Sequence, residues 1–207
     1  MIKTGHVYNA GMSAFPNPFR SEVTPGTLFV ISGTGGSGKS TIANELVSRH
    51  DNVWRSISMT TRNPRPGEVP SFDYYFVSEA DFKAKFRNDE FLEYASVYNS
   101  WYGTPRAPVE AKLAEGVHVL LVIDTQGGLT VRQNHQDAVL IFIQPPDKET
   151  LRQRMQQRNK DSKLAIETRL NAADEEMDIG TNQYDHVVVN DDLEKAISQV
   201  ADIIFQH

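Results

Sequence analysis

Four stretches of the chain are almost continuously apolar and rich in β-branched residues: TLFVIS (Thr27 to Ser32), VHVLLVID (Val117 to Asp124), AVLIFI (Ala138 to Ile143) and HVVVN (His186 to Asn190). Such runs predict parallel strands buried on both faces. Between and after them, apolar positions recur at helical spacing and predict helices near 39–50, 106–115, 126–135, 147–158, 162–178 and 191–205. The alternation predicts an α/β architecture, a parallel core sheet flanked by crossover helices. From about Ser58 to Tyr102 the rhythm breaks. A Pro- and Arg-rich loop, the short aromatic run DYYFV, a helix-like SEADFKAKFRND and then EFLEYASVY predict a mostly β insertion with one helix. A second interruption is the Arg-rich RQRMQQRNKDSKLAIETR, set between two helical stretches.

Composition narrows the possible chemistry. The 207 residues are 39% hydrophobic and 23% charged, as expected of one globular domain with a sizeable core. A net charge of −6 argues against nonspecific nucleic-acid binding. The chain has no cysteine, which excludes disulfides, thiolate metal sites and a cysteine nucleophile, and its six histidines lack metal-ligand spacing. No run of eighteen apolar residues is present to span a membrane. Residues 1–24 lack the apolar middle of a secretory signal and read as a flexible arm, with Met12 an alternative start and the cytoplasm the expected location.

Gly33-Thr34-Gly35-Gly36-Ser37-Gly38-Lys39-Ser40 matches the P-loop pattern GxxxxGK[ST] between a predicted strand and a predicted helix. Glycines let successive backbone N–H groups turn inward around phosphate oxygens, and the helix directs its positive end at the same anion. Lys39 would reach the β- and γ-phosphates, and the Ser40 hydroxyl would ligate Mg²⁺. The motif alone leaves kinases, GTPases and ATP-driven motors open.

In SISMTTRNPRPGEVPSFDYYFV, Arg62 and Arg65 lie three apart in a loop fixed by Pro64 and Pro66. Planar guanidiniums held in this way suit a second phosphate, with Tyr74 as a phenolic donor; the plainer alternative is a solvated loop of surface ion pairs. Together with D-Y-Y-F-V, E-F-L-E-Y-A, Y-G-T-P, I-D-T-Q-G, L-R-Q-R-M-Q-Q-R and V-N-D-D, this segment resembles the guanylate kinases, from about Gly26 to Ile204.

The resemblance implies a P-loop kinase fold carrying a small, mostly β GMP-binding lobe and an Arg-rich helical lid. It implies a core of 25–57, 105–146 and 180–207, a lobe of 58–104 and a lid of 147–179, together a domain of 25–207. The implied reaction is Mg²⁺-dependent phosphoryl transfer from ATP to GMP or dGMP, giving ADP and GDP. The donor site maps to Gly33, Gly35, Gly36, Ser37, Gly38, Lys39, Ser40 and Thr41, with Asn190 and Asp191 near the adenine. The acceptor phosphate maps to Arg62, Arg65, Tyr74 and Tyr102 beside Ser58, and guanine to Glu93, Thr104 and Asp124. Carboxylates accept from guanine N1–H and N2–H₂, while O6 needs a donor such as the Thr104 hydroxyl. Lys39, Arg65 and the lid arginines Arg154, Arg158 and Arg169 carry the catalytic assignment. Nucleotides are the implied partners, with neither nucleic acid nor membrane, and the chain as monomer or homodimer.

Three departures from the family pattern involve four positions. Thr34 and Gly35 stand where a proline and a serine are usual, and Asn159 stands for a glycine after Arg158. Val122 replaces the first of two acids, which leaves either Asp124, through water, or another acid to serve the metal. Two other functions fit parts of this pattern: a guanylate kinase-like binding module without turnover, favoured by Val122 alone, and a P-loop kinase with a different acceptor.

Overall fold

The computed structural model describes residues 23–97, 99–157 and 163–207; side chains at 163–166 and 169 fall outside that description. Nearly all of the expected N-terminal arm, with Arg158 and Asn159, lies outside the described residues. The elements run β1 (Leu28–Gly33), α1 (Lys39–Arg49), β2 (Val53–Arg55), β3 (Met59–Thr60), β4 (Tyr75–Phe76) and α2 (Glu79–Arg87). They continue through β5 (Phe91–Val97), β6 (Ser100–Pro105), α3 (Arg106–Ala114), β7 (His118–Val122), α4 (Thr125–Asn134) and β8 (Val139–Gln144). The chain ends with α5 (Lys148–Gln157), α6 (Lys163–Gln183), β9 (His186–Val189) and α7 (Leu193–Phe205).

The four apolar runs and the short β2 form one parallel sheet in the order β2-β7-β1-β8-β9. Successive side chains of a strand point to opposite faces, so β1 feeds two cores. Phe29 and Ile31 pack with Ile42, Leu46, Ile197 and Val200 of α1 and α7. Val30 packs on the other face with Val109, Val131 and Ile179 of α3, α4 and α6. The expectation of strands buried on both faces holds for β1 and β8 and fails for β9. Among the described residues that strand pairs only with β8 and forms an edge, with Val187 40% and Val189 41% exposed. Helix α7 begins at 193 instead of 191 because Asp192 is its N-cap, accepting from the Lys195 amide.

The interval after β2 builds a separate four-stranded sheet, β4-β3-β6-β5, with β5 and β6 antiparallel. Its apolar centre stacks Phe82 of α2 on Phe91, with ring centroids 4.5 Å apart. Three strands had no signal in the pattern. β2 and β3 are too short to show a period, and β6, SWYGTP, contains the residues that usually end strands. DYYFV contributes only Tyr75 and Phe76 to its sheet. In the parallel sheet, β1, β7, β8 and β9 end at the same edge, in Gly33, Val122, Gln144 and Val189. A ligand crevice is expected along that edge of an open parallel sheet.

Candidate active site

At the carboxyl edge, β1 passes through residues 34–38 directly into α1. Gly38 occupies the N-cap with φ of 97° and supplies no side-chain cap, so the first amides of α1 stay available to an anion. A Cβ there would stand 2.3 Å from the Asn190 side-chain nitrogen. That nitrogen donates to the Ser37 carbonyl at 2.7 Å, tying the end of β9 to the turn. Lys39 Nζ folds back across the turn and donates to the Gly33 and Thr34 carbonyls at 3.0 and 3.3 Å. Ser40 and Thr41 are exposed on the first turn of α1.

Gly36, Gly38, Thr41, Arg154, Asn190 and Asp191 line a cleft of about 520 Å³ beside this turn. Arg154 of α5 crosses to donate to the Asn190 carbonyl at 3.0 Å, while Asp147 and Glu149 bond to Thr150 and Gln153. The Asn190 side chain is buried and engaged with Ser37; it holds the cradle, where the sequence assigned it to the adenine. Asp191 is exposed at the cleft. The departure at Gly35 has a simple reading, since a Cβ there would meet only Met155, at 3.7 Å. A serine would fit the same turn. Thr34 is fully buried.

In the loop between β3 and β4 of the second sheet, the two expected phosphate arginines are organised by a residue that spacing did not single out. Glu68 takes Arg62 in a two-pronged pair, at 2.9 and 3.0 Å, and accepts from the Arg65 amide at 2.7 Å. Arg62 also donates to the Tyr102 hydroxyl at 3.1 Å and lies over Tyr74, 5.4 Å from the ring centroid. Tyr102 meets Tyr74 edge-on, and Ser58 is half-buried alongside, its carbonyl accepting from the Tyr75 amide. Arg62 is therefore in an ion pair, yet one that presets a planar cation between two phenols. Burial works to raise the Glu68 carboxyl, but hydrogen bonds from Arg62 and the Arg65 amide outweigh it and hold it below the usual range. The sequence signal for Glu68 was its place six residues after Arg62 in the tight P-R-P-G-E turn.

Glu93 owes its position to an irregularity. The register of β5 against β6 shifts between Phe91 and Glu93, so Phe91, Leu92 and Glu93 are buried in succession and Glu93 sits opposite Thr104. The Thr104 hydroxyl donates to Glu93 Oε1 at 2.6 Å. Its proton therefore points at the carboxylate, where the sequence had it offered to a ligand oxygen. Asp124 caps α4, accepting from the Gly127 amide at 2.8 Å. An atom placed as the missing Gly127 Cβ would lie 3.2 Å from Glu93 Oε2 and 3.6 Å from Asp124 Oδ1, so the two carboxylates flank one point. Burial raises the Glu93 carboxyl to about 7, with the Thr104 hydrogen bond opposing and the Asp124 charge adding.

A ligand whose N–H groups need an ionised Glu93 should bind better as pH rises. Below pH 7, kcat/KM for such a ligand should fall about tenfold per pH unit, as the ionised fraction does. Rates between pH 5.5 and 8.5 check this, and Glu93→Gln should remove the inflection. Replacing Glu68 with Gln should leave Arg62 without its two-pronged partner. A loss of about 1–2 kcal/mol corresponds to a 5–30-fold rise in KM for a phosphate-bearing acceptor, measured at saturating donor.

The expected site residues whose side chains are described thus lie at the carboxyl edge of the core sheet, in the second sheet and the loop joining β3 to β4, or on α5. Arg158 and the Arg169 side chain lie outside the described residues.

The family model for guanylate kinase matches residues 25–207. A guanylate kinase of Clostridium perfringens is 44% identical over 179 residues, covering 86% of this chain and 82% of its own. One from Gloeobacter violaceus is 45% identical over 179 residues, covering 86% and 87%. Among solved structures, guanylate kinase from Anaplasma phagocytophilum superposes with a TM-score of 0.74 at 35% identity, over 88% of this chain and 86% of that one.

Proposed function

The chain belongs to the guanylate kinase family, and from that premise we propose that it transfers the terminal phosphoryl group of ATP to GMP or dGMP, giving ADP and GDP. The observation that carries this reading is the buried Glu93 carboxylate, paired with Thr104 and facing Asp124 in the same molecule as the phosphate cradle. A carboxylate pair accepts from the N1–H and N2–H₂ of guanine. Adenine lacks both the N1 proton and the N2 amino group, so the carboxylate oxygens that Thr104 and Gly127 leave free would find no donor on it.

Phosphoryl transfer asks the protein chiefly for in-line positioning and neutralisation of spreading charge. On this reading the cradle amides and Lys39 hold the donor phosphates, with Gly33, Gly35, Gly36, Ser37, Gly38, Ser40 and Thr41 around them. Asn190 holds the cradle and Asp191 borders its cleft. Arg62, Arg65, Tyr74 and Tyr102, beside Ser58, hold the acceptor phosphate. Arg154, Arg158 and Arg169 close over the transferring group and exclude water. We assign the core to 25–57, 105–146 and 180–207, the acceptor lobe to 58–104 and the lid to 147–179. The setting is purine nucleotide metabolism in the cytoplasm, as monomer or homodimer. Among the described residues no helix is long and apolar enough to cross a membrane.

The donor set suits Mg²⁺ carried in by ATP. Ser40 offers a hard oxygen on the exposed first turn of α1, and no cluster of three acidic or histidine side chains occurs among the described residues. Mg²⁺ bound largely through nucleotide oxygens needs little more than this. Ser40 would hold it, with the Asp124 carboxylate in its water shell, and it would neutralise phosphate charge. Val122 ends β7 beside Ile31 and packs on the α1 face of the sheet. Val122→Asp should therefore lower the Mg²⁺ concentration for half-maximal rate about tenfold. Unchanged Mg²⁺ dependence would show that the position has no bearing on the metal.

Product analysis after incubation with ATP, Mg²⁺ and GMP tests the reaction. ADP and GDP should appear in equal amounts. A binding module without turnover would give neither product.

A further inference from the structure

One buried polar cluster outside the groups assigned to nucleotide joins three distant parts of the chain. Tyr184 follows directly on α6 and packs among Val30, Phe142 and Val131. Its hydroxyl donates to Ser32 Oγ at 2.8 Å and lies 3.2 Å from the Thr125 carbonyl. Ser32 Oγ in turn donates to the Asp124 carbonyl at 3.1 Å. A hydroxyl in an apolar core loses its water and is retained only where partners satisfy it. Here both partners sit beside functional groups. Ser32 precedes the cradle glycine Gly33, and Asp124 and Thr125 are the N-cap and first residue of α4. The fold leaves room for the hydroxyl at Gly128, where a Cβ would come within 2.1 Å of the Tyr184 oxygen.

The two ends of this chain of hydroxyls depend on it unequally. Ser32 lies in β1, which is paired on both sides, and the cradle is held separately by Asn190 and Lys39. Residues 123 and 124 lie between the end of β7 and the start of α4, outside any strand pairing. The Asp124 carboxylate is held by the Gly127 amide it caps, and its carbonyl by the Gly128 amide and by Ser32 of β1, so the mooring to β1 fixes where this cap sits relative to the sheet. We propose that Tyr184 is a positioning residue for guanine recognition: through Ser32 it holds the Asp124–Thr125 backbone against β1 and keeps the Asp124 carboxylate facing Glu93. This rests on the reading of GMP as acceptor.

The test is steady-state kinetics on the full chain, varying GMP at saturating ATP and ATP at saturating GMP. Tyr184→Phe keeps the ring and removes the hydroxyl. It should raise KM for GMP about five- to tenfold while KM for ATP stays within twofold. Ser32→Ala should act in the same direction, and the double variant should be no worse than the poorer single one, as expected of residues acting as one unit. Gly128→Ala should give the same GMP defect in the wild type, and a smaller added defect once the phenolic oxygen is gone. Equal changes in both KM values, unchanged KM values, or additive single effects would overturn the proposal. Wild type that makes no GDP would instead refute the acceptor reading itself, so the two failures are distinguishable.

Discussion

Lys39→Ala should lower kcat by about 10³-fold while leaving GMP binding within a factor of two. In the structure the ammonium spans the cradle, bonded to the Gly33 and Thr34 carbonyls, so it is preorganised where the donor phosphates would lie. A fixed cation aimed at developing charge is worth about 3–4 kcal/mol in a transition state, and each 1.36 kcal/mol is tenfold in rate. Lys39→Arg should recover little, because a planar fork cannot replace a compact ammonium folded across five residues of turn. Single-turnover rates together with calorimetric titration of GMP check both parts. A loss confined to KM for ATP would show that Lys39 only binds.

Glu93→Gln should cost about 10²–10³-fold in kcat/KM for GMP, with KM for ATP unchanged. Two terms combine: loss of charge-assisted hydrogen bonds, about 1.5–3 kcal/mol, and an amide donor left facing guanine donors in a buried site, about 1–3 kcal/mol. The substitution is nearly isosteric and removes the charge that burial beside Asp124 makes costly, so the variant should be at least as stable as wild type above pH 7. Sign and window follow from the carboxyl's position. A buried acid raised to about 7 is easiest to fold when protonated, and its destabilising charge develops as pH rises through 7. Thermal midpoints at pH 6 and 8 should therefore converge in Glu93→Gln. A variant that lost both activity and stability would point to a packing role instead.

The cradle was legible because its demands are local: glycines, a lysine and a hydroxyl in consecutive positions between a strand and a helix. The α/β core was legible for a related reason, since strands buried on both faces show as unbroken apolar runs. What escaped depends on pairing between distant segments. Glu93 becomes a buried acid only through the register shift of β5 against β6, and without the family resemblance it reads as one more exposed carboxylate. Glu68 matters because the loop closes on Arg62. Tyr184 and Ser32 are 152 residues apart and meet only once α6 packs against the sheet. The β9 run was apolar enough for a central strand, yet strand order placed it at an edge, and no periodicity encodes that order.

The central claim is that one chain couples a phosphate cradle to a site that reads guanine. It is tested most directly by initial rates of ADP formation with GMP, dGMP, AMP and UMP as acceptors, at fixed ATP and Mg²⁺. The geometry of Glu93, Thr104 and Asp124 predicts kcat/KM for GMP at least about 10³-fold above that for AMP, the discrimination available when buried hydrogen-bonding groups are left unpaired. Comparable rates with GMP and AMP would contradict it.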